Sequence, residues 1–251
     1  FSKFLITGPN ARAWLERIMA GRIPSYGRLA LNPMLSNKGR LIGDFTVSCI
    51  FKDTFQLTAS YASQEYHHRW FIQNIDDGVH IENISDQRNG FQIAGPRAAE
   101  VLQECTSVRV EEIRFLDVLE MTVGSTDCIV QKVSYTGDQG FEIYCDSTDQ
   151  QSLWNTLWTA GKDYGMTPFG MRAMMSLRLD RFFGSWMSEF SPDYTAAETG
   201  LDRFVSFKKN VDFIGRSVAE AERASPPLRQ LVVFVYLVGQ YLNEKLLFLF
   251  F

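Results

Sequence analysis

A chain of 251 residues, 45% hydrophobic and 22% charged, has the composition of an ordinary globular protein, with material for one large or two modest domains. Its net charge of −4, without a basic block, argues against duplex nucleic acid as a partner, and no apolar run approaches the ~20 residues of a membrane span. Aromatic residues make up 14%, with 20 Phe, which suits stacking on a flat ligand and suits a large core equally well.

The chain opens in a strand-like run, Phe4-Leu5-Ile6, without an initiator Met or a targeting segment, and a fragment at both ends is expected. Gly8-Pro9 then leads into an amphipathic helix, and Gly95-Pro96 does the same 87 residues later. Proline is expected in the first helical turn, where its missing N–H costs nothing. The repeat predicts two related α+β modules packed into one body. Between the two pairs, residues 41–50 and 54–59 read as strands and 63–75 as a helix. Strands follow near Glu120 and Val130, then Ser134-Tyr135-Thr136-Gly137-Asp138-Gln139-Gly140-Phe141-Glu142-Ile143-Tyr144 predicts a strand, a tight turn and a second strand. In that second strand Phe141, Ile143 and Cys145 share one face, and Glu142 and Tyr144 the other. A helix is expected over 149–164 and another from Pro168, over 171–182. Residues 184–216 are rich in turn formers. Residues 231–238 read as a buried strand, and 246–251 form a second apolar run. Helices mixed with antiparallel strands, without regular β-α-β alternation, define an α+β class. No G-x-G-x-x-G, G-x-S-x-G or P-loop pattern occurs.

Four cysteines (Cys49, Cys105, Cys128, Cys145), widely spaced and without a C-x-x-C pair, read as buried free thiols in a reducing compartment. His67 and His68 point in different directions on a helix and His80 stands alone, so no metal site is indicated. Asp44 interrupts an otherwise good strand; Leu41, Phe45, Val47 and Cys49 share a face and Asp44 takes the other with Ile42, Thr46 and Ser48. It is either a solvated or turn-capping Asp or a carboxylate aimed into a pocket by a rigid strand. Glu142 beside Tyr135 is either a strand Glu facing water next to a half-buried aromatic, or a carboxylate on a strand edge reading a flat heterocycle with two adjacent N–H donors. Met171, Met174, Met175 and Leu177 read as helix core. Gly184-Ser185-Trp186 is a substrate loop or a turn with a buried Trp.

Five blocks, in order across about residues 1–217, carry a resemblance. They are Pro33-Met34-Leu35-Ser36-Asn37-Lys38-Gly39-Arg40-Leu41-Ile42-Gly43-Asp44, Ile93-Ala94-Gly95-Pro96, Ser134 to Glu142 as quoted above, Ser176-Leu177-Arg178-Leu179-Asp180, and Asp212-Phe213-Ile214-Gly215-Arg216. The chain resembles the tetrahydrofolate-binding aminomethyltransferase domain of the glycine-cleavage T-protein, above all in the form fused to the flavin-linked dimethylglycine and sarcosine dehydrogenases and oxidases. The resemblance implies a folate-binding domain over 1–217 and the start of a C-terminal β-barrel over 218–251, with the match lost after about 236. It implies that Asp44 is the catalytic carboxylate near the reactive folate nitrogens, and that Glu142 and Tyr135 belong to the pterin pocket. It further implies tetrahydrofolate as cofactor, FAD only on an upstream or partner domain, and a methylated amine or its iminium or formaldehyde product as the small-molecule partner. The product would be 5,10-methylenetetrahydrofolate, made in the cytoplasm or the mitochondrial matrix.

Such chemistry accounts for the residue types. One carboxylate can accept a pterin's ring N–H and exocyclic amine together, and another near the folate amines can accept a proton. The nucleophile belongs to the cofactor, so no catalytic Ser, Cys or metal is required. The sequence departs from the T-protein pattern at Met174, where that family carries a folate-holding arginine, and at Ser60, where it carries an asparagine. Arg172, two residues from Met174, falls on a different helical face and is not assigned to the folate tail. Two rivals share the scaffold. One is a folate-dependent demethylase of an S- or O-methyl compound, its substrate chosen by residues 186–194. The other is a non-catalytic folate-binding protein, which the absence of Cys from 212–216 argues against.

Overall fold

In the computed structural model, which describes residues 1–233, the period-two runs become two antiparallel sheets and the helical-period runs cover their outer faces. The first half holds β1 (Ser2–Thr7), α1 (Ala11–Ile18), β2 (Arg28–Leu35), β3 (Leu41–Phe51), β4 (Thr54–Ala59), α2 (Gln64–Gln73) and β5 (His80–Asn83). The second holds β6 (Arg88–Ala94), α3 (Ala98–Gln103), β7 (Val118–Val123), β8 (Thr126–Gln131), β9 (Gly140–Asp146) and α4 (Gln150–Gly161). Three further helices, α5 (Met171–Leu177), α6 (Ala196–Thr199) and α7 (Arg216–Ala224), follow in mostly irregular chain.

One sheet runs β2-β3-β4-β1-β5 and the other β7-β8-β9-β6. The order β2-β3-β4-β1 is thus repeated as β7-β8-β9-β6, and the two Gly-Pro segments occupy equivalent places in it. Each proline precedes the first helical residue by two positions and so stands ahead of the first turn, not inside it. What the two segments share is a glycine of positive φ, Gly8 at 112° and Gly95 at 132°. Its carbonyl accepts from the first helical N–H, that of Ala11 at 3.1 Å or Ala98 at 3.2 Å. At Gly8 any side chain would also strike the Gly78 carbonyl.

The layers follow from the alternation. Phe4, Ile6, Phe45, Val47, Phe55 and Leu57 bury one face of the first sheet against Trp14, Leu15 and Ile18 of α1 and Phe71 of α2. Val130, Phe141 and Ile143 do the same for the second sheet, against Leu102 of α3 and Leu153 and Leu157 of α4. The inner faces pack on each other through Leu29 and Ile50 on one side and Val118, Ile129 and Tyr144 on the other. Backbone hydrogen bonds from Leu29 N to Leu116 O and from Val118 N to Gly27 O, both 2.9 Å, tie the sheets at that end. Leu35 and Leu41, at the opposite end of the β2–β3 ladder, pack with Trp186, Phe190, Phe213 and Ala219. The order is helices, sheet, sheet, helices.

All four cysteines are buried and unpaired, as read from the sequence. The methionine run is a correction: Met174 is buried, but Met171 is 60% and Leu177 38% exposed, so α5 contributes one narrow stripe to the core. α5 also starts at Met171, three residues past Pro168, and gives way to a 3-10 turn over 178–181, with Phe182 at φ 60°. Of the run 231–238, residues 231–233 have no regular structure. The rest of it, the 246–251 run, and most of the barrel start placed at 218–251 lie outside the described residues. No helix among the described residues is long and apolar enough to cross a membrane.

Candidate functional site

β9 enters its sheet at Gly140, where a β-carbon would sit 2.6 Å from the Ile93 carbonyl. From there the alternation sends Phe141, Ile143 and Cys145 to the helix-covered core, and Glu142 and Tyr144 to the space between the sheets. β9 lies between β6 and β8, so Glu142 stands inside the sheet and not on its edge, with Gln92 and Gln131 directly opposite on the two flanking strands. The Tyr144 hydroxyl donates to Glu142 Oε2 at 2.6 Å. Glu142 Oε1 takes no hydrogen bond among the described residues. Burial pushes the Glu142 carboxyl pKa up, opposed by the Tyr144 bond and by the Phe1 amino group. Burial, then the charge of Glu142, hold the Tyr144 phenol well above its usual value, with Thr58 of the first sheet beside it. The phenol paired with Glu142 is therefore Tyr144. The sequence pattern had put it on the right face without giving it a role.

Asp44 is placed by an irregularity. β2 and β3 pair regularly from Arg28–Cys49 to Met34–Gly43, then slip so that Leu35 faces Leu41 and Ile42 becomes the extra residue of a bulge. The alternation expected at the start of this strand is reversed there. Ile42 joins the core of Phe45 and Val47, while Leu41 goes to the cluster of Trp186 and Phe213. Gly43 fits because a β-carbon would stand 2.5 Å from the Phe45 ring and 2.8 Å from His67 Nε2. Asp44 follows, opposite Pro33, on the strand face that alternation turns toward the second sheet. Burial pushes its carboxyl up to about 6. Both carboxylates are surrounded by protein yet keep partial access to solvent.

The tight turn expected after a strand at Ser134 is instead an eight-residue loop, 132–139, between β8 and β9. Gln92 donates to the Ser134 hydroxyl at 2.7 Å, and Ser134 and Thr136 share a 2.8 Å bond, so side chains hold the middle of the loop while backbone bonds at Lys132 and Gln139 hold its ends. Tyr135, within it, donates its hydroxyl to the Gly184 carbonyl at 2.7 Å. Its ring lies parallel to Phe183 and edge-on to Phe1, both at 6.3 Å. Burial raises the Tyr135 phenol pKa; Ser185 and Arg178 oppose the shift and the Asp44 charge adds to it. Tyr135 is thus linked to Asp44 by its field and, through Phe1, which touches its ring and brings an amino group near Glu142, to that second carboxylate. A surface hollow of about 850 Å3 between α3 and α4, lined by Arg97, Cys105 and Tyr164, is bordered by none of them.

Two residues without an assigned role organise this end. Arg178 and Glu189 form a buried two-pronged ion pair, Nη1 to Oε2 at 2.8 Å and Nη2 to Oε1 at 3.1 Å. Glu189 also accepts from the Ser185 N–H at 2.8 Å, and Arg178 donates to the Phe183 carbonyl. The clamp shapes the loop that carries Gly184 and Phe183 to Tyr135. Its signal in the sequence is the spacing of Arg178, four residues after the buried Met174. Gly184-Ser185-Trp186 is a turn with a buried Trp: Trp186 packs against His67, at 5.5 Å, and the Gly184 carbonyl accepts from Tyr135. His67 is fully buried, and its pKa falls to about 4 through burial, so it packs as a neutral ring. Arg172 is exposed on α5.

Two sheets of one repeated topology, packed face to face between helices, with a largely buried acid on the inner face of each, define a duplicated α+β domain. The GCVT N-terminal domain family matches residues 1–209, and the chain belongs to it. It is 33% identical over 237 residues to human mitochondrial dimethylglycine dehydrogenase, covering 92% of this chain and 27% of that protein. To the aminomethyltransferase of Natranaerobius thermophilus it is 28% identical over 235 residues, covering 92% and 64%. The chain therefore spans about a quarter of the first relative and just under two thirds of the second. Among solved structures, the glycine cleavage system aminomethyltransferase T from Bartonella henselae superposes with a TM-score of 0.83 at 20% identity, over 92% of this chain and 63% of that one. The heterotetrameric sarcosine oxidase from Corynebacterium sp. U-96 gives 0.51 at 16%, over 67% and 83%. These two likenesses establish the shared fold.

Proposed function

We propose that this chain is a tetrahydrofolate-dependent one-carbon transferase domain, in which Asp44 acts on the reacting group and Glu142 and Tyr135 hold the pterin. The observation that carries the reading is a pair of largely buried carboxylates, one on the inner face of each sheet, with Tyr135 in the field of Asp44 and against Phe1, whose amino group acts on Glu142. The residues present fit the ligand. Glu142 has one oxygen taken by Tyr144 and one without a partner, so it can be orientated by the protein and still accept from a ring edge. Tyr135 and Phe183 offer parallel aromatic faces beside it.

Bound tetrahydrofolate would supply the nucleophilic nitrogens. The chain's own part is to fix the ring edge at Glu142, to keep water out with Tyr135 and Phe183, and to accept a proton at the Asp44 carboxylate. A carboxyl titrating near 6 is suited to that last task, being ionised at neutral pH yet basic enough to take a proton. We assign the one-carbon donor to the products of N-methyl amine oxidation, on a flavin domain or subunit, giving 5,10-methylenetetrahydrofolate. The likeness to dimethylglycine dehydrogenase and the sequence blocks around Asp44 and Glu142 support that choice.

Titration of the protein with tetrahydrofolate, followed by tryptophan fluorescence, should saturate below millimolar ligand. A folded protein that shows no saturable binding at that level overturns the proposal. Asp44→Asn should keep affinity and lose product formation by about 10²–10⁴-fold, the range for a single acid–base group. Glu142→Gln should lose affinity first. Undiminished turnover in both variants contradicts the assigned roles, and 5-methyltetrahydrofolate as product would favour the demethylase.

A further inference from the structure

Most polar side chains between the sheets have partners. Gln56 donates to Thr58 at 3.3 Å and accepts from Arg88 at 3.0 Å. Gln92 is committed to Ser134, and Tyr144 to Glu142. Gln131 is different: it is fully buried on β8, and neither its amide nitrogen nor its amide oxygen has a partner among the described residues. The buried Ser48 hydroxyl of β3 is also bare. Buried amides nearly always find hydrogen bonds, so an unbonded one inside a packed layer calls for an occupant or a function.

Its place supplies one. Gln131 shares its strand face with Ile129, which is part of the inter-sheet cluster, and it stands directly opposite Glu142 in the β8–β9 register. Side chains so paired have β-carbons about 4.5–5.5 Å apart, so the amide lies beside the carboxylate whose Oε1 is unbonded. The two groups are chemically complementary. A carboxylate only accepts, whereas an amide nitrogen brings donor hydrogens. A ring edge that presents a carbonyl, an N–H and an amine in succession requires one donor and two acceptors. Glu142 meets the two donors of such an edge and leaves its carbonyl without a partner.

We infer that Gln131 donates from Nε2 to the ring carbonyl next to the N–H and amine held by Glu142, and so selects a 4-oxo over a 4-amino pteridine. This inference rests on the tetrahydrofolate reading above.

Calorimetric titration of the full chain and its Gln131→Leu variant, each with tetrahydrofolate and with a 4-amino pteridine analogue, tests it, alongside a thermal melt of each protein. Loss of one neutral hydrogen bond should weaken tetrahydrofolate binding by about 10-fold in the variant. The 4-amino analogue should lose little, and the melting temperature should hold or rise because a bare amide has been removed. Gln131→Met serves in place of Leu if that variant fails to fold. Unchanged affinity and unchanged discrimination in a folded variant would show a buried amide bridged by water alone and overturn the assignment to Gln131, leaving the folate reading intact. Failure of the unmodified chain to bind either ligand overturns both.

Discussion

An aspartate in an unfolded chain titrates near 3.8, whereas burial makes folded Asp44 hold its proton up to about 6. Between those values the native state binds more protons than the unfolded one. Stability contributed by this group is therefore complete below about pH 4 and declines as pH rises toward 6, then levels off. Asp44→Asn removes the ionisation, and the variant should gain about 1–3 kcal/mol at pH 7. That gain should vanish below about pH 4. Thermal melts of both proteins between pH 3.5 and 7 check it, and a difference independent of pH contradicts the burial of Asp44. A carboxylate that weakens the fold it belongs to, in the role proposed for Asp44, is an expected conflict between activity and stability.

At the scale of elements, the Arg178–Glu189 clamp holds the loop that receives Tyr135. Breaking one side of a buried ion pair strands the other charge, so Glu189→Gln should cost about 3–5 kcal/mol. Hydrogen exchange should quicken over 183–190 and 132–139 together, because Gly184 joins the two loops. Exchange that rises in 183–190 alone would separate them. Arg178→Met combined with Glu189→Leu should recover much of the lost stability, since no charge is then left buried. The helices and strands around these loops were legible in the sequence. β4 spans the predicted 54–59, and the faces of Phe141 to Cys145 alternate as period two requires. What escaped were features without a period. The bulge at Ile42 swaps two faces in one step, the middle of the 132–139 loop is held by Gln92 from another strand, and Glu189 finds Arg178 only in three dimensions. Asp44, Tyr135 and Glu142 could be named from family motifs, but the site proposed for them spans the two sheets, and how the sheets meet is encoded by no local pattern.

At the scale of the whole molecule, the inter-sheet cluster and the backbone bonds at Leu29 and Val118 bind the two halves into one body. Leu29→Ala at this buried contact should cost about 2–5 kcal/mol. Both halves should still unfold in a single transition, with amides of β3 and of β8 losing protection at the same denaturant concentration. Two resolved transitions would show each half standing alone.

The repeated strand order carries a last consequence. Each half has its own helix-backed sheet, and the site proposed above is divided between them, Asp44 in one and Glu142 with its flanking amides in the other. A molecule gripped by both would act as a rivet across the seam, resisting separation of the halves more than it stiffens either one. Occupancy should then be felt most strongly as slower parting of the two sheets, and weakening the seam should loosen the rivet well before either half comes undone.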